Sequence, residues 1–591
     1  MWSLLTHAWR SWKNAKAVAL LAIAALAIGI GSATAIYTVV DAVLLSPLPY
    51  THGERYVNIF SARKGEDGQW RGTSWLNLLE YQRRTSSFDS FGIYQPREFN
   101  LTAPGTPRHL TAVEVTPSLL AGLGVPLIAG QWLGEDLQRA VISERLWESL
   151  GRDKSIVGTT LTLDGLPYTV TGVAPAWFRF PVSGTSGQEL RADVWVPLHP
   201  QGSDGHRDVA GFFCAARMRP GVTLAQANAD VKRAAVQIEQ QFMHDPGYTA
   251  FATDLRDSVV KEVRPTFLLL LGAAAALLLI TCANVAGLLL ARSVARARET
   301  AIRVAIGATR SQLALQFFSE GLLVALAGGA LGIGVSIALV RFVLSIAADW
   351  IPRADSIQTS AAGLAFAFAV AIASCLLFSM APLWQASRTL PNETLSDGAR
   401  ASAGARSRGL SRSLVIAEIA LCFTLLTVGV VLLTELAGLM GSRTGFEPDH
   451  LLTFGANISM TEFPKAEIRD AFQKRLADAV GAIPGVEAVA YLNHLPLNGC
   501  CYSTTLTPQG REPNPVSDKI SIMAASANYP ETMHIPIVNG RFVIDADREG
   551  SAGGVAINQA AARALWPGVN PVGRIAMLYQ TPCASWVWSA T

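Results

Sequence analysis

The sequence predicts an α-helical membrane protein of about five transmembrane helices carrying two α+β extracytoplasmic domains, the second incomplete. Three observations predict it. Half of the 591 residues are hydrophobic and only 16% are charged, against about 25% charged in ordinary soluble domains. Five stretches meet the requirement of about 20 apolar residues for a helix that crosses a bilayer, where every backbone group must bond internally. The polar part of the chain also occurs twice, each copy following an apolar stretch.

The first copy reads Val115-Thr116-Pro117-Ser118, then Gly124-Val125-Pro126 through Gln131-Trp132. The second reads Ala527-Asn528-Tyr529-Pro530, then His534-Ile535-Pro536 through Arg541-Phe542. The echo continues downstream: Ala140-Val141-Ile142-Ser143, Trp147 and Val157-Gly158 answer Val555-Ala556-Ile557-Asn558, Trp566 and Val572-Gly573. A repeat of this length is too large for a solenoid unit and implies duplication of a whole domain with its anchor.

Taken in order, residues 1–16 form a basic start containing Arg10, Lys13 and Lys16. The first span is 17–41. Ala33-Thr34-Ala35 imitates a signal-peptide cleavage site, but apolar residues continue to Leu45, beyond the usual length of such a segment, so an uncleaved anchor is expected. Residues 42–264 form the first outer domain. In it Ser74 caps a helix over Trp75–Arg84 with an apolar face of Leu76, Leu79 and Tyr81. Thr159–Val173 reads as a hairpin turning at Asp164-Gly165. Thr223 to Gln226 is a capping box opening a helix to about Phe242, with Ala227, Val231, Ala234 and Ile238 on one face. The mixture of strands and helices without regular alternation indicates an α+β module.

A second span at 265–290 is followed by a basic loop, 291–316, and a third span at 317–345. A short outer connection, 346–360, leads to a fourth span at 361–384. A linker at 385–413 precedes the fifth span, 414–437, and the second outer domain, 438–591. That domain has a helix over Lys465–Ile483 with Ile468, Phe472, Leu476 and Val480 on one face. Arginines crowd the loops at 291–316 and 385–413, whereas 346–360 carries Arg353 against Asp349 and Asp355. The positive-inside rule places the amino terminus and the basic loops in the cytoplasm and both large domains outside.

Several function classes lose support. The net charge of +3 is accounted for by the inner loops and calls for no nucleic-acid partner. The nine histidines are scattered and the cysteines have no metal-type spacing, so no catalytic, metal or cofactor site is expected on this chain. Cys282, Cys375 and Cys422 lie in spans as small packing residues, and the adjacent Cys500 and Cys501 carry no redox reading. Glu418 is an intramembrane carboxylate, costly in lipid; it sits about one turn from the cytoplasmic end, where Arg412 could pair with it. Gly328-Gly329, Gly332 and Gly334 mark either a broken helix of a secondary transporter or close helix packing.

The loop from Ala291 to Arg310 is amphipathic. Ile302, Ala305 and Ile306 form an apolar stripe, Arg298, Glu299 and Arg303 present charge, and Glu299 to Arg303 is a favoured i,i+4 pair. Such a short helix could lie at the membrane surface and dock into a partner's groove. This loop, with Glu320-Gly321-Leu322-Leu323 and Gly328-Gly329-Ala330-Leu331-Gly332 after it, resembles FtsX/MacB-type ABC transporter permeases. Ile28-Gly29-Ile30-Gly31 through Pro49-Tyr50, and Met218-Arg219-Pro220-Gly221 through Ala227, are similar to the first span and outer core domain of that group. The order of spans and domains resembles its duplicated, acidobacterial-type branch.

The resemblance implies a permease that works with an ABC ATPase as a homo- or hetero-dimer in the bacterial inner membrane, with a possible envelope partner. ATP would be used through the partner, because the sequence contains no Gly-x-x-x-x-Gly-Lys-[Ser/Thr] to cradle phosphates. The coupling segment would be about Arg296–Gln312, with Arg298, Glu299, Arg303 and Gly307 as contact or hinge positions; Gly307 equally suits a helix end. The activity implied is export or extraction of a hydrophobic or lipid-linked substrate, of macrolide or lipoprotein type. The alternative is an FtsX-like scaffold regulating an envelope enzyme without transport. Residues after about Leu578 lack the features of the Thr160–Val173 hairpin, so the second copy is expected to be cut short and its tail poorly packed.

Overall fold

The computed structural model describes residues 16–587 apart from 64–71, 104, 181–189, 199–206, 208–210, 243–247, 296–301, 303–305, 307–308, 349, 359, 389–399, 443, 460–461, 497–501, 513–517, 548–553 and 579–580. Helix α1 (Lys16–Val40) ends in a π turn over Asp41–Leu45, where Ser46 N donates to Asp41 O at 2.7 Å.

The first outer domain follows as β1 (Tyr56–Arg63), α2 (Trp75–Arg84), β2 (Phe88–Ala103), β3 (Arg108–Val115), α3 (Pro117–Gly122), β4 (Ala129–Gly130), β5 (Arg139–Ser143) and α4 (Glu144–Ser149). It continues through β6 (Thr160–Leu163), β7 (Leu166–Ala174), β8 (Val194–Pro197), β9 (Phe213–Met218), α5 (Leu224–Phe242), β10 (Tyr248–Asp254) and α6 (Leu255–Val260). One sheet runs in the order β10-β1-β9-β2-β3-β8-β5-β7-β4, with β6 bridging β2 and β7. Helices α2 and α5 cover one half of it, burying Leu78, Tyr81, Val231 and Ile238 against Val57, Ile59 and Phe212. The centre is built on Trp195, wholly buried, whose Nε1 donates to Phe180 O at 2.8 Å.

Local signals act as their chemistry requires. The Asp164-Gly165 turn has φ of 48° and 77°, the left-handed pair that a two-residue hairpin needs. The Thr223–Gln226 box closes in both directions, at 2.9 and 3.3 Å. Ser74 accepts from Asn77 N at 3.2 Å. The face of α2 is turned from the expected one: Asn77, Leu78 and Tyr81 are buried while Leu76 and Leu79 are half-exposed. Asn77 goes inward because Arg207 Nη1 donates to its Oδ1 at 2.7 Å, satisfying a group that would otherwise be costly to bury.

The membrane part comprises α1, α7 (Arg264–Ala295), α8 (Arg310–Ala347), α9 (Ala361–Arg388) and α10 (Arg400–Met440). Among the described residues four stretches are long and apolar enough to cross a bilayer, Lys16–Leu45, Arg264–Arg292, Phe318–Ala347 and Val415–Met440; α9 adds a shorter apolar stretch, Ala361–Leu377. Leu26, Ile30, Val285, Val324, Ala367 and Ala371 share one core. Helix α8 is continuous through its glycines, which serve packing: a Cβ on Gly31 would lie 2.8 Å from Gly332 O, and one on Gly328 2.6 Å from the Leu26 Cβ. Gly334 faces open space. None of the apolar window of α10 is buried within the chain.

The second outer domain contains α11 (Ala466–Gly481), β11 (Tyr502–Pro508), β12 (Lys519–Ile522), α12 (Tyr529–Thr532), β13 (Gly554–Ile557), α13 (Gln559–Leu565), β14 (Ile575–Leu578) and β15 (Thr581–Val587). Its sheet order, β12-β11-β14-β15-β13, repeats the path β3-β2-β6-β7-β5 of the first domain. Here the expectation for the tail is overturned. Strands β14 and β15 pair antiparallel from Ile575↔Ala584 to Leu578↔Thr581, and β15 pairs parallel with β13 from Gly554↔Ala584 to Ile557↔Val587. The hairpin β6–β7 has the same register, Thr160↔Thr169 to Leu163↔Leu166, displaced by one constant offset along the chain. A ladder is made of backbone groups, so neighbouring strands template β15 although its middle, Pro582-Cys583-Ala584-Ser585, carries little strand propensity. Buried Cys583 donates its thiol to Ala576 O at 3.4 Å across the pair. Helix α11 has no buried residue, and its expected apolar face is only half-covered, with Ile468 exposed.

Candidate functional site

Arg298, Glu299, Arg303 and Gly307 lie outside the described residues. What the structure does place is the apolar half of their segment. Ile306 N donates to Ile302 O at 3.0 Å, a helical i→i+4 bond, so the two side chains share a face. Both are solvent-facing, Ile302 at 47% and Ile306 at 81% exposure. Helix α8 has its own well-defined start. Thr309 N donates to Gln312 Oε1 at 3.0 Å and Gln312 N donates back to Thr309 Oγ1 at 3.4 Å, a complete capping box. Among the described residues this exposed aliphatic pair belongs to no hydrophobic core. Chemically such an aliphatic face can bind an apolar groove.

About two turns beyond Gln312, Glu320 is buried at 5% exposure and accepts from Gln316 Nε2 at 3.3 Å. Sequence reasoning missed it as a buried charge, although the i,i+4 Gln–Glu spacing at the start of an apolar run was a usable signal. Glu418 stands half-buried on α10, and among the described residues Arg412 forms no ion pair with it. No group of three His, Cys, Asp or Glu that could hold a metal occurs among the described residues. The outer domains show structural charge clusters instead. Asp89 on β2 accepts from Arg55 Nη2 at 2.5 Å and from Arg217 Nε on β9 at 2.7 Å, tying the starts of β1 and β2 to the end of β9. Burial pushes its carboxyl up, but hydrogen bonds and charge from Arg217 and Arg55 outweigh this and hold it below the ordinary carboxylate range. Burial likewise pushes the Cys214 thiol well up, marking it as an inert core residue.

A bundle of long apolar helices bearing α+β outer domains defines the class as a membrane protein with large modules outside the bilayer. A family model of the MacB-like periplasmic core domain matches residues 19–234 and 419–584, and one of the FtsX-like permease C-terminal region matches 271–391. The chain belongs to the FtsX/MacB family of ABC transporter permeases. It is 28% identical over 287 residues to the macrolide export ATP-binding/permease protein MacB of Burkholderia cenocepacia (strain HI2424), a match covering 48% of this chain and 39% of that one. It is 30% identical over 282 residues to MacB 2 of Aeromonas hydrophila subsp. hydrophila, covering 46% and 41%. These matches thus span well under half the length of the curated relatives. Among solved structures, the periplasmic region of MacB from Actinobacillus actinomycetemcomitans matches with a TM-score of 0.26 and 12% identity, covering 36% of this chain and 94% of that one.

Proposed function

We propose that this permease couples ATP hydrolysis by a separate ABC ATPase to movement of its two outer domains, exporting or extracting a hydrophobic or lipid-linked substrate of macrolide or lipoprotein type. In this reading it sits in the bacterial inner membrane with residues 1–16, 291–316 and 385–413 in the cytoplasm. It works as a homo- or hetero-dimer of permeases. The ATPase grips the segment Arg296–Gln312, where Arg298, Glu299 and Arg303 make charged contacts and Gly307 ends the short helix or acts as hinge. The observation that supports the reading is the exposed Ile302–Ile306 pair shortly before the capped start of α8. An apolar face of this kind seats in a partner's groove while the charges beside it set register and on-rate.

The test is to purify the full chain with its co-isolating partners and assay ATP hydrolysis. A stoichiometric ATPase is expected, with turnover falling at least several-fold on Arg298→Glu or Arg303→Glu. Recovery of an envelope enzyme with no ATPase would overturn the reading in favour of a scaffold that regulates that enzyme.

A further inference from the structure

The outer end of the bundle is held by a residue that the transport reading leaves without a role. Arg353, between α8 and α9, has φ 57° and ψ 30°. That left-handed conformation is uncommon for a long side chain and persists only where the surroundings over-determine it. Its side chain is buried at 9% exposure, and its guanidinium is spent on the backbone of another helix end. Nη1 donates to Ser46 O at 2.9 Å, with a longer 3.5 Å approach to Val43 O, and Nη2 donates to Pro47 O at 3.0 Å. These carbonyls belong to the π turn and exit of α1. A helix carboxyl end carries partial negative charge and unsatisfied carbonyls, so a buried cation there is well placed.

Two residues on, Asp355 forms an ion pair with Arg179 of the first outer domain. The carbonyl of Arg179 in turn accepts from the hydroxyl of Tyr50 at 3.0 Å, on the segment that leaves α1. The backbone of the turn is itself closed, with Ser356 Oγ donating to Arg353 O at 2.7 Å and Ser356 N to the same oxygen at 2.8 Å. Beneath it Val43, Val259, Phe267 and Ile357 form one apolar cluster, joining the ends of α1, α6 and α7 to this loop.

The first outer domain is covalently attached only through the exit of α1 and through α6 into α7. Arg353 and Asp355 add a third attachment, and it is rooted in α8 and α9. We infer that the turn Arg353–Ser356 is a strut: Arg353 fixes the π turn of α1, and Asp355 transmits displacement of α8 and α9 to the first outer domain through Arg179. The inference deepens the reading that bundle motion drives the outer domains, by naming the residues that carry it. The π turn is the compliant element, since such turns recur where a helix must yield or re-register. The buried guanidinium is the pin, because losing it leaves three carbonyls short of a donor.

Hydrogen–deuterium exchange on the full chain in phosphatidylethanolamine/phosphatidylglycerol nanodiscs tests the strut without any ATPase. Arg353→Gln is expected to raise exchange about tenfold in peptides covering 41–50, and Asp355→Arg to raise it both there and around 176–180. The double reversal Arg179→Asp with Asp355→Arg should restore the wild-type pattern at 176–180, which general loosening would not do. Arg353→Lys, which keeps the charge but only one bond, guards against simple misfolding and should fall between wild type and Gln. The strut is overturned if Asp355→Arg leaves 41–50 and 176–180 unchanged, or if the reversal fails to restore exchange. Failure of the transport reading looks different: the exchange pattern stands while no ATPase co-purifies.

Discussion

Asp89 shows how individual charges work in this protein. It lies at the start of β2, between Arg55 just ahead of β1 and Arg217 on β9, and it is three-quarters covered. Because the folded-state pKa is depressed below the unfolded value of about 3.9, its stabilisation is fully present above that value. It is lost as pH falls through the lower, folded one. Asp89→Asn is therefore expected to cost about 1–3 kcal/mol at neutral pH, by leaving two guanidiniums short of their charged acceptor. Denaturant melts of the full chain in detergent should show mutant and wild type converging as pH drops below 4, and a gap that stays constant into acid would refute the assignment. Residue-level features were unevenly legible. Caps at Ser74 and Thr223 follow from side-chain chemistry one turn away, so sequence sufficed. The inward turn of Asn77 and the role of Arg353 each depend on a partner distant in the chain, which local pattern does not contain.

Among elements, the instructive one is β15. Asp-Gly announces the β6–β7 turn, and Thr160-Leu161-Thr162-Leu163 alternates plainly, so that hairpin could be read from sequence. The segment Thr581-Pro582-Cys583-Ala584-Ser585-Trp586-Val587 has neither signal, yet it occupies the position of β7 in the same register. Even Pro582 stands at the second residue of its strand, as Pro167 does in β7. Strand β15 lies between β14 and β13, so it is the link that attaches β13 to the sheet. Removing residues 579–591 is expected to cost several kcal/mol, at about 1 kcal/mol per net hydrogen bond. Limited proteolysis should then cut at β13 and α13, and an unchanged cleavage pattern would show the hairpin to be dispensable. The glycines of α1 and α8 carry the complementary lesson. Small residues on a span signal either breakage or close approach, and only the 2.8 Å clearance at Gly31 decides for approach.

For the whole molecule, duplication and charge bias predict the architecture. The basic loops alternate with polar segments across the spans, so protease added to the outer face of intact cells stripped of their outer envelope should cleave within 42–264 and 438–591. It should spare 291–316 and 385–413. Cleavage of the basic loops with protection of the large domains would invert the orientation. The two matches to the core-domain model agree with the repeat seen in the sequence. The common sheet path shows that the repeat extends to strand order and register. The two copies differ in coverage: α2 and α5 cover one half of the first copy's sheet, whereas α11 and α10 keep their apolar surfaces open within the chain.

The sequence by itself determined the membrane class, the repeat, the helix caps and the Asp-Gly hairpin, because hydropathy, periodicity and capping act over a few residues. The tertiary structure alone decided the pairing of β15 between β13 and β14, the glycine contact between α1 and α8, and the attachment of the first outer domain through Arg353, Asp355 and Arg179. Each of these joins residues far apart in the chain. Their energies come from backbone ladders, close approach and a buried charge, none of which leaves a local trace in the order of amino acids.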